Sequence, residues 1–278
     1  MKLQILGTAA AEGIPALFCT CEYCKKARQL RGKEIRTRSG AIIDDQLMVD
    51  FSPDAYFHEI QFGLDYTYVH TILVTHDHMD HFFAEDLGNR APGFAVLDDT
   101  VPKTLMVYGN DRVGLQMSLG NHGGLRDGSK PVAFTRIVPF QESEVTGGYK
   151  FTALTGLHDR SQQCYIYLIE DKHGKTMLYG HDTGYFVPET MAALKGRHLD
   201  LVMLDCTYGR YRDGGNHMGL EDNFEMKRRL IANGNVDENT KMIVTHFSHN
   251  GHMMHDELLA AAAPEGFDVA YDGVIYEI

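Results

Sequence analysis

The chain has 278 residues, 44% of them hydrophobic, with 15 histidines and a formal net charge of −12. That length and apolar content can bury a large core, whereas the acid excess provides no basic field for a long polyanion such as DNA or structured RNA, so a small substrate is favoured. No apolar stretch approaches the roughly 18 residues of a membrane span and no signal-peptide pattern opens the chain, so the expectation is a cytoplasmic protein with no membrane partner.

Taken in chain order, short apolar runs bounded by Gly, Asp or Pro predict strands at 3–6, 47–51, 71–75, 104–108, 151–155, 165–169, 176–179, 201–204 and 241–245. Helices are predicted at 22–30, 188–194, 220–233 and 255–263. The third is the best defined, because Leu220, Phe224, Leu230 and Ile231 fall at helical spacing and Asn233-Gly234 supplies a stop. The first half reads as strand-rich with hairpin-like pairs and the second as strands mixed with helices. This favours an α/β (α+β) arrangement of sheets covered by helices, in a single domain over 1–278. No strand leads into a G-x-G-x-x-G or Walker A loop, so no nucleotide cofactor is expected. The glycine-rich stretch 119–129 reads as a mobile loop.

Around the start of the helix at 22–30 stand Cys19, Cys21 and Cys24, while Cys164 and Cys206 are isolated. An odd number of thiols in a reducing compartment argues against a disulfide framework and for a structural zinc, which needs a fourth ligand. His217, His249 and Cys206 are the candidates. After the strand at 71–75, the turn Thr75-His76-Asp77-His78-Met79-Asp80-His81 lets His76, His78, Asp80 and His81 converge, as a regular helix or strand could not. Imidazole and carboxylate suit zinc, manganese or iron, and so many donors exceed the needs of one tetrahedral ion. Three later strands end on donors of the same kind: His158, Asp182 and His246. Two adjacent metals are expected.

The ordered set H-x-H-x-D-H, His158, Gly180-His-Asp182-Thr183 and Thr245-His246 resembles the metallo-β-lactamase superfamily. The resemblance spans most of the chain and implies a four-layer αββα sandwich with two divalent metal ions (Mn or Zn) at one edge of the sheets. It places His76, His78 and His158 on one metal and Asp80, His81 and His246 on the other, with Asp182 bridging. A hydroxide between the two ions would then be the nucleophile. Gly7-Thr8, Gly13-Ile14-Pro15, the cysteine cluster, Leu204-Asp-Cys206, Asn216-His217 and Thr245-His-Phe-Ser-His249 narrow the likeness to the PhnP-type cyclic phosphodiesterases. This narrower resemblance implies an insertion near 19–24 whose structural zinc is held by Cys19, Cys21, Cys24 and His249. It assigns catalysis to Asp80, within the metal set, and to His217, as proton donor to the departing alkoxide. It also implies a small phosphate-ester substrate and a homodimer.

This sequence departs from the family pattern at Asp159-Arg160, where a serine commonly follows the histidine, at His181 before Asp182, and at Phe82-Phe83 beside the metal turn. Arg160, Arg210 and Arg212 are candidate phosphate clamps. His58, His70, His122, His173 and His198 read as surface or structural, and His252 and His255 as part of a solvated turn. Competing readings are another hydrolase on the same scaffold, acting on tRNA 3′ ends, thioesters or lactones, and a metal or redox sensor without turnover.

Overall fold

Side-chain alternation along Leu201–Asp205 shows how the layers are built. Leu201 and Met203 face one core while Val202 and Leu204 face another, and all four are completely buried. A strand buried on both faces has to lie in the middle of a layered structure.

The structure, a computed structural model, describes residues 1–120 and 131–278. Its strands run, in chain order, β1 (Lys2–Gly7), β2 (Gly40–Ile43), β3 (Leu47–Val49), β4 (Thr71–Leu73), β5 (Leu105–Gly109), β6 (Val132–Arg136), β7 (Glu142–Val145), β8 (Tyr149–Thr155), β9 (Tyr165–Glu170), β10 (Thr176–Gly180), β11 (Leu201–Asp205), β12 (Lys241–Thr245), β13 (Phe267–Val269) and β14 (Ile275–Glu277). The helices are α1 (Glu22–Leu30), α2 (Ala55–Phe62), α3 (Ala84–Leu87), α4 (Asp111–Gly120), α5 (Pro188–Leu194), α6 (Leu220–Ala232) and α7 (His255–Ala262). One sheet has the order β14-β1-β2-β3-β4-β5-β6 and the other β13-β12-β11-β10-β9-β8-β7.

Between the sheets lies a core that includes Leu3, Ile43 and Leu73 from the first and Phe151, Tyr167 and Met203 from the second. The outer face of the first sheet packs on Leu87 of α3 and on Val113 and Met117 of α4; that of the second packs on α1, α5, α6 and α7. Helices, two sheets and helices make the four-layer αββα sandwich. Burial of each large apolar side chain in these layers contributes roughly 1.5–3 kcal/mol.

All nine strand expectations and all four helices fall on observed elements. Besides the strands and the helix at 22–30 expected there, the first half also carries α2, α3 and α4, whose mixed surfaces give only weak apolar periodicity. Also missed were β2, β6, β7, β13 and β14, each five residues or fewer. Of the loop expected at 119–129, residues 121–129 lie outside the described residues, as does His122.

The site is positioned by the C-terminal ends of β3, β4, β8, β10, β11 and β12, which reach one edge of the sandwich. β10, β11 and β12 are parallel, with Gly180 level with Leu204 and Asp205 level with Thr245, so the residues that follow Gly180 and Thr245 emerge beside Asp205.

Candidate metal centre

The chain turns sharply as it leaves three of these strands, and Asp50, Asp182 and His246 adopt φ of 63°, 51° and 60°. Such left-handed backbone costs about 1–3 kcal/mol for a residue with a side chain and persists where surrounding contacts enforce it. Here the enforcing contacts are Asp50 N–H to the Leu73 carbonyl (2.9 Å) and Asp182 N–H to Asp205 Oδ2 (3.2 Å).

Donors from the separate strand ends converge around Asp182. Its Oδ2 lies 3.2 Å from His76 Nε2, 3.1 Å from His81 Nε2 and 3.8 Å from His246 Nε2, and its Oδ1 lies 3.1 Å from His158 Nδ1. His76, His78, His158 and Asp182 offer atoms within 4.8 Å of one another, as do Asp80, His81 and His246. The fold thus brings together the residues expected for each of the two ligand sets, with Asp182 between them. The donors fit metals on an observation of their own: His158 Nδ1 and Asp182 Oδ1 are buried without a hydrogen-bond partner although they face each other. Buried lone pairs left unmatched are costly, and divalent ions would satisfy them.

Two buried carboxylates that the sequence reading did not assign hold the imidazoles in place. Asp50 Oδ2 contacts His81 Nδ1 at 2.7 Å and His181 Nε2 at 3.2 Å, and its Oδ1 accepts from Thr75 N–H and Oγ1 at 2.8 and 2.9 Å. Asp205 Oδ2 lies 3.2 Å from His246 Nδ1 and 3.3 Å from His217 Nδ1, and accepts from Thr207 Oγ1 at 2.8 Å. Carboxylates placed this way fix ring orientation and raise ligand basicity. The available signal was positional, since each terminates an apolar strand as Asp182 does. His181, noted only as a departure from the family pattern, packs between Tyr179 and Asp50.

Electrostatics follow from this packing. Burial alone would raise the carboxyls of Asp50 and Asp205, but the adjacent imidazoles overcome it and hold both well below the usual range. Asp182 is lowered against burial in the same way, by His246, His76 and His81. Burial pushes His158 and His181 down to about 4, which leaves their rings neutral near pH 7. His217 behaves differently. Burial opposes its charge, yet the Asp205 carboxylate outweighs that and lifts it to about 9. Its Nδ1 also lies 3.2 Å from Asp182 Oδ1.

The cysteines form a second cluster. Cys19 Sγ and Cys21 Sγ lie 3.6 and 3.5 Å from His249 Nδ1, and Cys24 completes a group within 4.8 Å. Of the three candidates for a fourth ligand, the fold therefore brings His249 and leaves Cys206 and His217 elsewhere. The cluster's frame is local: Cys21 caps α1 by accepting from Cys24 N–H at 3.4 Å, and Ala16 N–H donates to Cys24 Sγ at 3.3 Å. A tetrahedral zinc fits three thiolates and one imidazole.

Among the candidate phosphate clamps, Arg212 pairs with Asp222 at 3.1 Å and Arg210 donates to the His252 carbonyl, so both are engaged. Arg160 is exposed. His58 and His70 are buried and structural, as expected. The expectation for His255 is corrected: it opens α7 as a buried side chain, with Nδ1 3.1 Å from Arg36 Nη2, because α7 packs against the sheet. His252 is exposed.

Residues 47–266 match the model of the beta-lactamase superfamily domain. A crystal structure of a new diphosphatase from the PhnP family superposes with a TM-score of 0.75 at 21% identity, covering 100% of this chain and 97% of that one. Zn²⁺-bound PqqB from Methylobacterium extorquens gives 0.68 at 18% identity, covering 100% of both chains. In sequence, an octanoyltransferase from Porphyromonas gingivalis is 30% identical over 83 residues, which are 29% of this chain and only 16% of that protein. At these structural identities, what is shared is the fold.

Proposed function

The chain belongs to the beta-lactamase superfamily domain family, whose metallo-β-lactamase-fold members are generally hydrolases, and from that premise we propose that it is a dinuclear phosphodiesterase acting on a small, cyclic or open, phosphate ester. The observation that carries this reading is the convergence of His76, His78, His158, Asp80, His81 and His246 on Asp182, with His217 beside Asp182 at 3.2 Å. The net charge of −12 supports it over a nuclease reading, because a long polyanion would meet repulsion, and the cysteine cluster supports it over thioester or lactone hydrolysis.

Bound at this centre, a pair of divalent ions supplies Lewis acidity and an activated water at neutral pH. The protein's groups do the rest. Asp182, reached by both ligand sets, sets their spacing, while Asp50 and Asp205 hold His81 and His246 in one ring orientation. His217, whose protonated form the Asp205 carboxylate favours, would donate its proton to the leaving alkoxide as the phosphorus–oxygen bond breaks. The water oxygen ends on phosphorus and the departing group leaves as a neutral alcohol. Cys19, Cys21, Cys24 and His249 would hold a structural zinc, which would brace the loop carrying His246, since His249 stands three residues beyond it.

The test joins metal analysis to a substrate panel. About three ions per chain, loss of turnover on chelation, recovery with zinc or manganese, and preference for bis-p-nitrophenyl phosphate or a cyclic nucleotide over thioester, lactone and precursor tRNA are expected. Full turnover of metal-stripped protein would overturn the reading. His217→Ala should slow turnover about a hundredfold or more with all ions retained; a fall in metal content would make His217 a ligand instead.

A further inference from the structure

The two ligand sets differ in how they are anchored. His81 and His246 lean on Asp50 and Asp205, which are fully buried, and His76 Nδ1 lies 3.0 Å from Thr75 Oγ1, also buried. His78 has no such interior anchor. Its side chain is 41% exposed, its Nδ1 points into the cluster at 2.9 Å from His76 Nε2 and 3.2 Å from His158 Nε2, and its Nε2 lies 3.4 Å from Asp159 Oδ2.

Asp159 is itself held firmly. Its carboxylate accepts from Ser161 N–H and Oγ, both at 2.8 Å, and from Gln162 Nε2 at 3.0 Å. Gln162 Oε1 in turn accepts from Asp77 N–H at 3.1 Å and from Asn110 Nδ2 at 3.0 Å. Arg112 links the same two loops, donating to Ser161 Oγ at 2.8 Å and pairing with Asp77 at 3.1 Å. The segment after His158 is therefore clamped to the metal turn from the start of α4, with one carboxylate left facing the outward nitrogen of His78.

We propose that Asp159 is a positioning residue for the outer ligand set: it keeps His78 Nδ1 turned into the cluster and thereby sets how tightly His76, His78, His158 and Asp182 hold their ion. The inference rests on the dinuclear reading above and adds to it an asymmetry. The set of Asp80, His81 and His246 is the buried, tightly held position, and the outer set is the exchangeable one, tuned by the partly exposed carboxylate of Asp159. Removing a carboxylate that orients a ligating imidazole typically weakens metal binding about 10–100-fold.

The experiment measures affinity, not turnover. Zinc is titrated into the metal-stripped full-length protein against a chromophoric chelator, and cobalt(II) binding is followed by its d–d absorption, for the wild type, Asp159→Ala and Asp159→Asn. The expected result is that Asp159→Ala loses about tenfold or more in affinity at one cobalt- and zinc-binding step and leaves the others unchanged, with Asp159→Asn intermediate because its amide oxygen still accepts from His78. Unchanged affinities at every step would overturn the proposal. So would equal weakening of all steps together with a lower melting temperature of the metal-free variant, which would make Asp159 a brace for the loop alone. A protein that binds both ions yet cleaves no phosphodiester would overturn the proposed reaction and leave this result standing.

Discussion

The two candidate metal clusters of this protein are built in opposite ways. The cysteine cluster takes three of its four donors from 19–24, within one turn entering α1, and imports only His249 from a distant segment. The His/Asp centre takes its donors from the ends of β4, β8, β10 and β12, spread along the chain from His76 to His246, and assembles only when both sheets are in register. A locally built cluster can order its own loop, whereas one assembled from strand ends inherits its geometry from the core. Damage should therefore propagate asymmetrically between them: loss of the His/Asp centre should abolish turnover without unfolding the sandwich, while loss of the cysteine cluster should loosen one loop.

The largest effect is expected at the shared carboxylate. Asp182→Ala removes the group both ligand sets face and should abolish turnover by more than about a thousandfold, with loss of two ions and retention of the knuckle zinc in metal analysis. Loss of the knuckle zinc as well would break the comparison, since it would make the two clusters one cooperative unit.

A smaller effect is expected from Cys24→Ser. Cys24 is fully buried in the first turn of α1, so the variant should lose the structural zinc, lower the melting temperature by several degrees and reduce turnover about tenfold through the Ser248–His249 loop, with both centre ions still bound. If melting temperature and turnover matched the wild type after zinc loss, the knuckle would not brace the loop carrying His246.

The smallest effect is a pH signature within the knuckle. His249 beside Cys21, helped by the Cys24 N–H, lowers the Cys21 thiol to about 6, whereas burial pushes Cys24 up to about 12. In metal-stripped protein at pH 7, Cys21 is therefore a thiolate and Cys24 a thiol. Iodoacetamide should alkylate Cys21 well before Cys24, as read by peptide mass spectrometry. Because the folded pKa of Cys21 is depressed, its stabilising contribution is complete above the unfolded value near 9 and is lost as pH falls through about 6. Equal labelling of the two thiols at pH 7 would show that the cluster's preorganisation comes from metal alone.

Much of this protein is determined by the sequence itself, because the relevant signals are local. Alternating apolar runs specify strands buried on one or two faces, and the density of donors in His76–His81 identifies a metal turn without any knowledge of its surroundings. Cys19, Cys21 and Cys24 are legible for the same reason. Tertiary structure alone decided what those signals meet. Asp50 and Asp205 look like ordinary strand-end acids until the parallel register of β10, β11 and β12 and the pairing of β3 with β4 bring them against His81, His246 and His217. His249, one of three candidates by sequence, becomes the cysteines' neighbour because the turn after β12 folds back over the entry to α1. Asp159 meets His78 only through the contact of one loop with another. Sequence spacing carries donor type and local geometry; which carboxylate faces which imidazole depends on the packing of two sheets, and that information is distributed over the whole core.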